Sequence, residues 1–331
     1  MKITVLLPDV TTTGIEIERE VFGPEADIIL GQAIQTDAIS DKIWTSCDAI
    51  LAWDNMEYNA MLMKKLVKCK VIVRVGVGFD NVDFAEAKKS NIVVCNVPDY
   101  GTGEVADHAM SLLLSFSRGL PLYTERVKRR DWTRHNDTTF RLDQRVMGII
   151  GLGRIGTATA MRAKSFGMKV VFYDPYINDG LDKALGITRA DTLNEIAENA
   201  DVISLHVPLT HKTKGMLNEE FFNQARKNPV IINTARGPVI KLPDLEEALR
   251  EGRVRAAGLD VLPVEPSDNS QQLIVDWEND EEWIRGRLIV TPHSAFYSPT
   301  SIVEVRKKAC LEALRVVRGE KARNCVNAFY D

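Results

Sequence analysis

Short apolar runs recur along this chain, and most are followed by a stretch whose apolar residues fall three and four positions apart. Strand period alternating with helix period predicts a parallel α/β architecture. In the first hundred residues the apolar runs are 3–7, 49–52, 71–75 and 92–97, with helices expected over 55–67 and 84–89. A second series runs from Val146 to about Phe296, with strands expected at 146–150, 169–173, 202–206, 230–233, 257–259 and 288–291. Six strands with helices between them match the six-stranded dinucleotide-binding sheet.

The segment Pro98-Asp-Tyr-Gly-Thr-Gly103 breaks the first series. Beyond it, Val105, Ala109, Leu112, Leu113 and Phe116 mark a core helix over 104–118 that ties two domains together. After Ser298-Pro299 a last amphipathic helix over 302–318 is expected to return to the first unit, making that domain discontinuous. The fold class is therefore α/β, with two doubly wound parallel-sheet domains. A Rossmann domain over 102–298 is inserted into a flavodoxin-like domain made of 1–101 and 299–331.

Composition narrows the class. The 331 residues are 45% hydrophobic and 27% charged, which is globular, and the formal net charge of −4 argues against a nucleic-acid surface. No apolar run reaches the roughly 18 residues of a membrane span, and the amino terminus lacks the layout of a signal peptide. The five cysteines, Cys47, Cys69, Cys95, Cys310 and Cys325, are scattered and include no close metal-ligand pair. They read as buried thiols, with no metal and a cytoplasmic setting expected.

The loop Gly151-Leu-Gly153-Arg-Ile-Gly156 follows an apolar strand directly and opens a helix. Gly151 permits the tight turn, Gly153 lets a phosphate reach the backbone, and Gly156 allows close helix–strand packing. The helix amino terminus then offers free N–H groups and a dipole to a pyrophosphate. Asp174 ends the next strand, where a carboxylate accepts from ribose hydroxyls and repels a 2′-phosphate. Pro175-Tyr176 follows it with no immediate cation, so NAD is expected over NADP. The plainer alternative for Asp174 is a helix cap.

Reducing a 2-oxo acid needs a cation for its carboxylate and a proton donor at its carbonyl. His293 lies just past an apolar strand, at the edge where open α/β sheets hold ligands. Glu265 is placed to orient the imidazole and hold its proton, and Arg236, past another strand end, offers a fork of donors. Singly, such an Arg is usually surface charge and such a Glu is usually loop. Together, downstream of a dinucleotide loop, the three read as catalytic. His206 ends a strand and is expected to line the cofactor cleft, while His108 sits on the linking helix and His135 and His211 look solvated.

These pieces, with Asn233-Thr-Ala-Arg236-Gly, Gly258-Leu-Asp260-Val, Glu265-Pro and Thr291-Pro-His293, resemble the D-isomer-specific 2-hydroxyacid dehydrogenases over nearly the whole chain. Arg74-Val-Gly-Val-Gly-Phe-Asp-Asn, His293-Ser-Ala-Phe-Tyr-Ser298 and Arg323-Asn-Cys-Val-Asn327 look most like the C-terminal binding protein subgroup, with phosphoglycerate dehydrogenases next. The resemblance implies that Arg74, Val75, Gly76 and Phe296 bind substrate, the first three within a carboxylate-binding loop facing the cofactor domain across a cleft. It implies that Arg154, Ile155, Pro208, Thr213, Thr234, Ala235, Arg236, Asp260, His293 and Ala295 line the cofactor, with Asp260 near the nicotinamide. It also implies a homodimer formed through the NAD domain.

Several positions depart from the pattern. Phe296 replaces a tryptophan of the C-terminal binding proteins, Val77 and Val207 replace hydroxyl residues, and Asp107 replaces a glutamate. The acidic stretch 266–289, with Trp277 and Trp283, is longer than usual and reads as a solvated insertion, or else as a lid or dimer contact. The function expected is NAD-dependent interconversion of a small 2-hydroxy acid and its 2-oxo acid, with His293 as acid and base. The rival is an NADH-sensing corepressor, since C-terminal binding proteins of animals keep this site.

Overall fold

The computed structural model describes residues 3–9, 14–136 and 138–327. The chain divides into two units, Met1–Gly101 with Tyr297–Asp331, and Thr102–Phe296. No helix among the described residues is long and apolar enough to cross a membrane.

The first unit holds five parallel strands: β1 (Ile3–Asp9), β2 (Ala26–Ala33), β3 (Ala49–Ala52), β4 (Val71–Arg74) and β5 (Val93–Cys95), in the order β2-β1-β3-β4-β5. This is the flavodoxin-like order. Every residue of β3 and β4 is buried, as expected of strands covered on both faces. The edge strand β2 lacks a continuous apolar run, because its residues are mostly half-buried or exposed.

The helix expected over 55–67 shrinks to Ala60–Met63. Tyr58 is drawn into a bridge with Val82, and the Asn59 side chain caps the N–H groups of Met61 and Leu62 at 3.0 and 3.1 Å. The closing helix Pro299–Val317 starts from a Ser298–Ser301 capping box. It buries Val305, Ala309 and Ala313 and lies against β3 and β4.

The second unit carries seven parallel strands rather than six. They are β6 (Val146–Ile150), β7 (Lys169–Tyr173), β8 (Thr188–Arg189), β9 (Val202–Leu205), β10 (Val230–Asn233), β11 (Ala256–Leu259) and β12 (Leu288–Val290), ordered β12-β11-β10-β9-β6-β7-β8. From β8 to β11 this is the dinucleotide-binding order, with β12 added outside it. At two residues, β8 is too short to show a hydrophobic period.

The acidic stretch keeps Asp268, Glu278, Asp280, Glu281 and Glu282 exposed, as expected of a solvated insertion, but it is anchored from below. It folds into the helix Gln272–Glu278, with Leu273, Ile274 and Ile284 in the hydrophobic core. Asp276 accepts from Gln272 Nε2 at 2.6 Å and Trp283 Nε1 at 3.0 Å and pairs with Arg250, whose guanidinium lies 3.8 Å over the Trp283 ring. Three apolar anchors hold this segment to the unit in spite of its charge.

All the strands of the second unit run parallel, so the loops after β6, β7, β9, β10, β11 and β12 leave one edge of one sheet. Those loops, with the head of the helix Arg154–Ser165, carry every site residue expected in this unit.

Candidate active site

Gly151 follows β6 with φ of 92°, and a Cβ there would lie 2.7 Å from the His206 carbonyl oxygen. A left-handed backbone pressed against a neighbouring strand end requires glycine. The helix Arg154–Ser165 begins directly after Gly153. Gly156 touches the loop itself, since its Cβ would sit 2.0 Å from the Gly151 oxygen. A Cβ at Gly153 meets no atom within 4 Å, so backbone faces open space at the head of that helix.

Asp174, after β7, is half-buried beside this loop. Its Oδ2 accepts from Leu152 N at 2.8 Å and its Oδ1 from Tyr176 N at 2.9 Å. Each oxygen keeps a further lone pair, so the carboxylate can brace the loop and still accept from hydroxyls. Bracing the glycine loop is a role that strand spacing does not reveal.

After β9, the His206 ring turns back to the buried Ser204, Nε2 to Oγ at 2.9 Å. Burial pushes its pKa down to about 3, so His206 is neutral at physiological pH and is a poor source of a proton. The turn beyond is closed by Thr213 Oγ1, which donates to Pro208 O at 2.6 Å.

At the end of β10 the Asn233 side chain donates to Arg236 O at 3.0 Å and accepts from Ala235 N at 3.0 Å, fixing the turn that carries Arg236. Arg236 Nη1 donates to Ala235 O at 2.8 Å. Thr234 Oγ1 is buried with no protein hydrogen-bond partner. The next residue, Gly237, lies against the following loop, because a Cβ there would be 2.0 Å from the Leu262 carbonyl carbon. The Arg236 turn and the loop leading to Glu265 are thereby packed backbone to backbone.

Asp260 organises the rest. It is 1% exposed, and its Oδ1 accepts from Thr291 Oγ1 at 2.6 Å and Ser294 N at 2.9 Å, while Oδ2 accepts from Ala295 N at 2.9 Å. Its backbone oxygen accepts from His293 N at 2.8 Å. The loop holds His293 at φ of 49°, an uncommon conformation for a residue with a side chain. His293 Nδ1 lies 2.7 Å from Glu265 Oε2, and Glu265 Oε1 accepts from Leu262 N at 2.7 Å. The carboxylate thus holds the proton of Nδ1 and sets the orientation of the ring. The Phe296 ring stands edge-on to the imidazole, centroids 6.2 Å apart.

In the first unit, Arg74 ends β4 and is 5% exposed, with Nη2 3.4 Å from Asp54 Oδ2. Val75 N donates to Ala52 O at 2.7 Å and Gly76 N to Arg74 O at 2.8 Å. These two amides are thus engaged within the unit.

The second unit therefore brings Arg236, Glu265, His293, Asp260 and Phe296 into one constellation, in the same unit as a glycine loop and its acid. Its donor set fits a dinucleotide, with open backbone at Gly153, a carboxylate at Asp174 and an unsatisfied hydroxyl at Thr234. Sequence reasoning missed Asn233, Thr291 and His108 as supporting residues. His108 had a visible signal, because it falls on the same helical stripe as Val105, Ala109 and Leu112.

Residues 110–295 match the family described as D-isomer specific 2-hydroxyacid dehydrogenase, NAD binding domain. The chain is 36% identical over 317 residues to a D-3-phosphoglycerate dehydrogenase of Methanocaldococcus jannaschii, covering 95% of this chain and 57% of that protein. It spans about half the length of the curated relatives it matches. Among solved structures, a D-lactate dehydrogenase of Aquifex aeolicus complexed with NAD and lactic acid superposes with a TM-score of 0.86 at 27% identity, covering 96% of each chain. An NADPH-dependent glyoxylate/hydroxypyruvate reductase of Sinorhizobium meliloti, in complex with NADP and malonate, gives 0.83 at 25% identity, covering 98% of this chain and 97% of that one.

Proposed function

Because the chain belongs to the D-isomer-specific 2-hydroxyacid dehydrogenase family, we propose that it reduces a small 2-oxo acid with NADH, forming the 2-hydroxy acid. The observation that carries this reading is the His293–Glu265 pair at 2.7 Å, at the strand edge where its own unit carries the dinucleotide loop.

NADH, when bound, supplies the hydride. The chain's residues do the rest. Gly151, Gly153, Arg154, Ile155 and Gly156 hold the pyrophosphate, and Asp174 accepts from the adenosine ribose, which selects NAD over NADP. His206, Pro208, Thr213, Thr234, Ala235, Asp260 and Ala295 line the remaining length, Thr234 with its unsatisfied hydroxyl.

His293 Nε2 donates a proton to the carbonyl oxygen while Glu265 holds Nδ1. Arg236 gathers the substrate carboxylate and stabilises charge developing on the carbonyl oxygen. Phe296, edge-on to His293, limits the size of the substrate side chain.

A homodimer through the second unit belongs to the same proposal. It is supported by Leu120, Val127 and Trp132, which are 55%, 49% and 79% exposed on and just beyond the helix Leu120–Lys128. A cytoplasmic setting is supported by five cysteines held as thiols. The D-3-phosphoglycerate dehydrogenases among the relatives favour that branch over the C-terminal binding proteins.

The test is the loss of NADH absorbance with purified protein against glyoxylate, hydroxypyruvate, pyruvate, phenylpyruvate and 4-methylthio-2-oxobutyrate, each repeated with NADPH. Selective turnover with NADH supports the reading. Tight NADH binding without turnover of any member overturns it in favour of a sensor.

A further inference from the structure

We propose that His108, on the helix Thr102–Arg118, is a positioning residue for the catalytic loop, acting on His293 through the hydroxyl of Thr291 and the carboxylate of Asp260. The inference rests on the catalytic reading of His293 given above.

The hydrogen bonds have one consistent direction. Thr291 Oγ1 donates its proton to Asp260 Oδ1 at 2.6 Å. That hydroxyl has no second proton, so at its 3.0 Å contact with His108 Nε2 it accepts, and Nε2 must carry the hydrogen. The same nitrogen lies 3.5 Å from Asp260 Oδ1. His108 thus delivers an N–H toward an almost fully buried carboxylate, directly and through one hydroxyl.

What that carboxylate does makes the contact matter. Asp260 accepts from the amides of Ser294 and Ala295 at 2.9 Å each, and its backbone oxygen accepts from His293 N at 2.8 Å. Those bonds hold the chain on both sides of His293 in its left-handed conformation. Without the His108 donor the Thr291 hydroxyl is free to turn away from Asp260, and the carboxylate loses its clamp on 294 and 295. His293 then leaves the 2.7 Å contact with Glu265 that aims its ring. His108 touches neither of those two side chains, so it acts through the loop alone.

The test uses His108→Leu, His108→Gln, Thr291→Val and the double variant His108→Leu/Thr291→Val. Steady-state kinetics are read beside the imidazole resonance of His293 in histidine-labelled protein. His108→Leu should lower kcat about tenfold while leaving the KM for NADH within about twofold, and should displace the His293 resonance. His108→Gln, which keeps an N–H donor of similar reach, should restore both. Adding His108→Leu to Thr291→Val should cost much less than His108→Leu does alone, because the route through the hydroxyl is already cut.

The proposal is overturned if His108→Leu leaves kcat and the resonance unchanged, if Gln fails to rescue, or if the two substitutions are additive. Should Leu prevent folding, His108→Asn, polar but too short to reach Thr291, takes its place. If the unsubstituted protein turns over no 2-oxo acid, the catalytic reading fails on that result, and the His293 resonance alone decides the role of His108.

Discussion

The carboxylate of Asp174 accepts the backbone N–H of Leu152 at 2.8 Å, so the acid that ends β7 holds the glycine loop that ends the neighbouring β6. Asp174→Ala should weaken NADH binding by about tenfold or more, narrow the preference over NADPH, and lower Tm because two amides lose their acceptor. Fluorescence titration and thermal unfolding separate the effects. A fall in Tm with unchanged NADH affinity would leave Asp174 a brace and remove it from the ribose.

Glu265→Gln keeps an oxygen for Leu262 N but puts a neutral amide beside His293 Nδ1. The loop should survive while the proton donor weakens. The expected result is a kcat about a hundredfold lower with unchanged NADH affinity and nearly unchanged Tm. Equal losses in Tm and turnover would mean that the carboxylate serves the loop alone.

Gly237→Ala inserts a methyl 2.0 Å from the Leu262 carbonyl carbon and must part the Arg236 turn from the Glu265 loop. Overpacking of this kind costs about 1–3 kcal/mol, so Tm should drop. Turnover should fall much further than NADH affinity, since the glycine loop and Asp174 lie on other strands. Wild-type kinetics in this variant would show that the two loops need not be in register.

The first unit has its own pH dependence. Asp9 is 2% exposed, and burial raises its pKa from the ordinary 3.8 to about 6, against the opposing pull of the Trp53 amide and the Arg74 charge. The folded-state value lies above the unfolded one, so the native state binds more protons between pH ~4 and ~6 and loses stability as pH rises through that window. The rise corresponds to about 3 kcal/mol as an upper figure. Asp9→Asn should therefore unfold at a higher temperature than wild type above pH 7, with the gap closing toward pH 4. No gap at neutral pH would show that Asp9 is ionised without cost.

The sequence made the buried strands plain and the polar bracing obscure. β6, β7 and β10 lie where their apolar runs place them, although β7 opens on the exposed Lys169 and β10 closes on Asn233. β2 and β8 were hidden, one by half-exposed edge positions and the other by its length of two residues. The helix expected over 55–67 failed because a bridge and an Asn cap at 58 and 59 outweigh its local periodicity. In the site, Gly151, Asp174, Arg236, Glu265 and His293 stood out because each has a distinctive residue type at a strand end. Asn233, Thr291 and His108 act by hydrogen bonds between segments far apart in sequence, and no local spacing encodes those. The charge of the long acidic stretch marked its exposed positions, while Leu273, Ile274 and Ile284 carried the signal of its buried anchors.

The central claim is that this chain moves a hydride from NADH to C2 of a 2-oxo acid while His293 supplies the proton. Mass spectrometry of the product formed from NADH fully deuterated at C4, in wild type and His293→Ala, tests it most directly. The account predicts a 2-hydroxy acid with one deuterium at C2 from wild type, and a rate lower by at least about a hundredfold from His293→Ala at unchanged NADH affinity. Product without deuterium at C2, or undiminished turnover in His293→Ala, would contradict it.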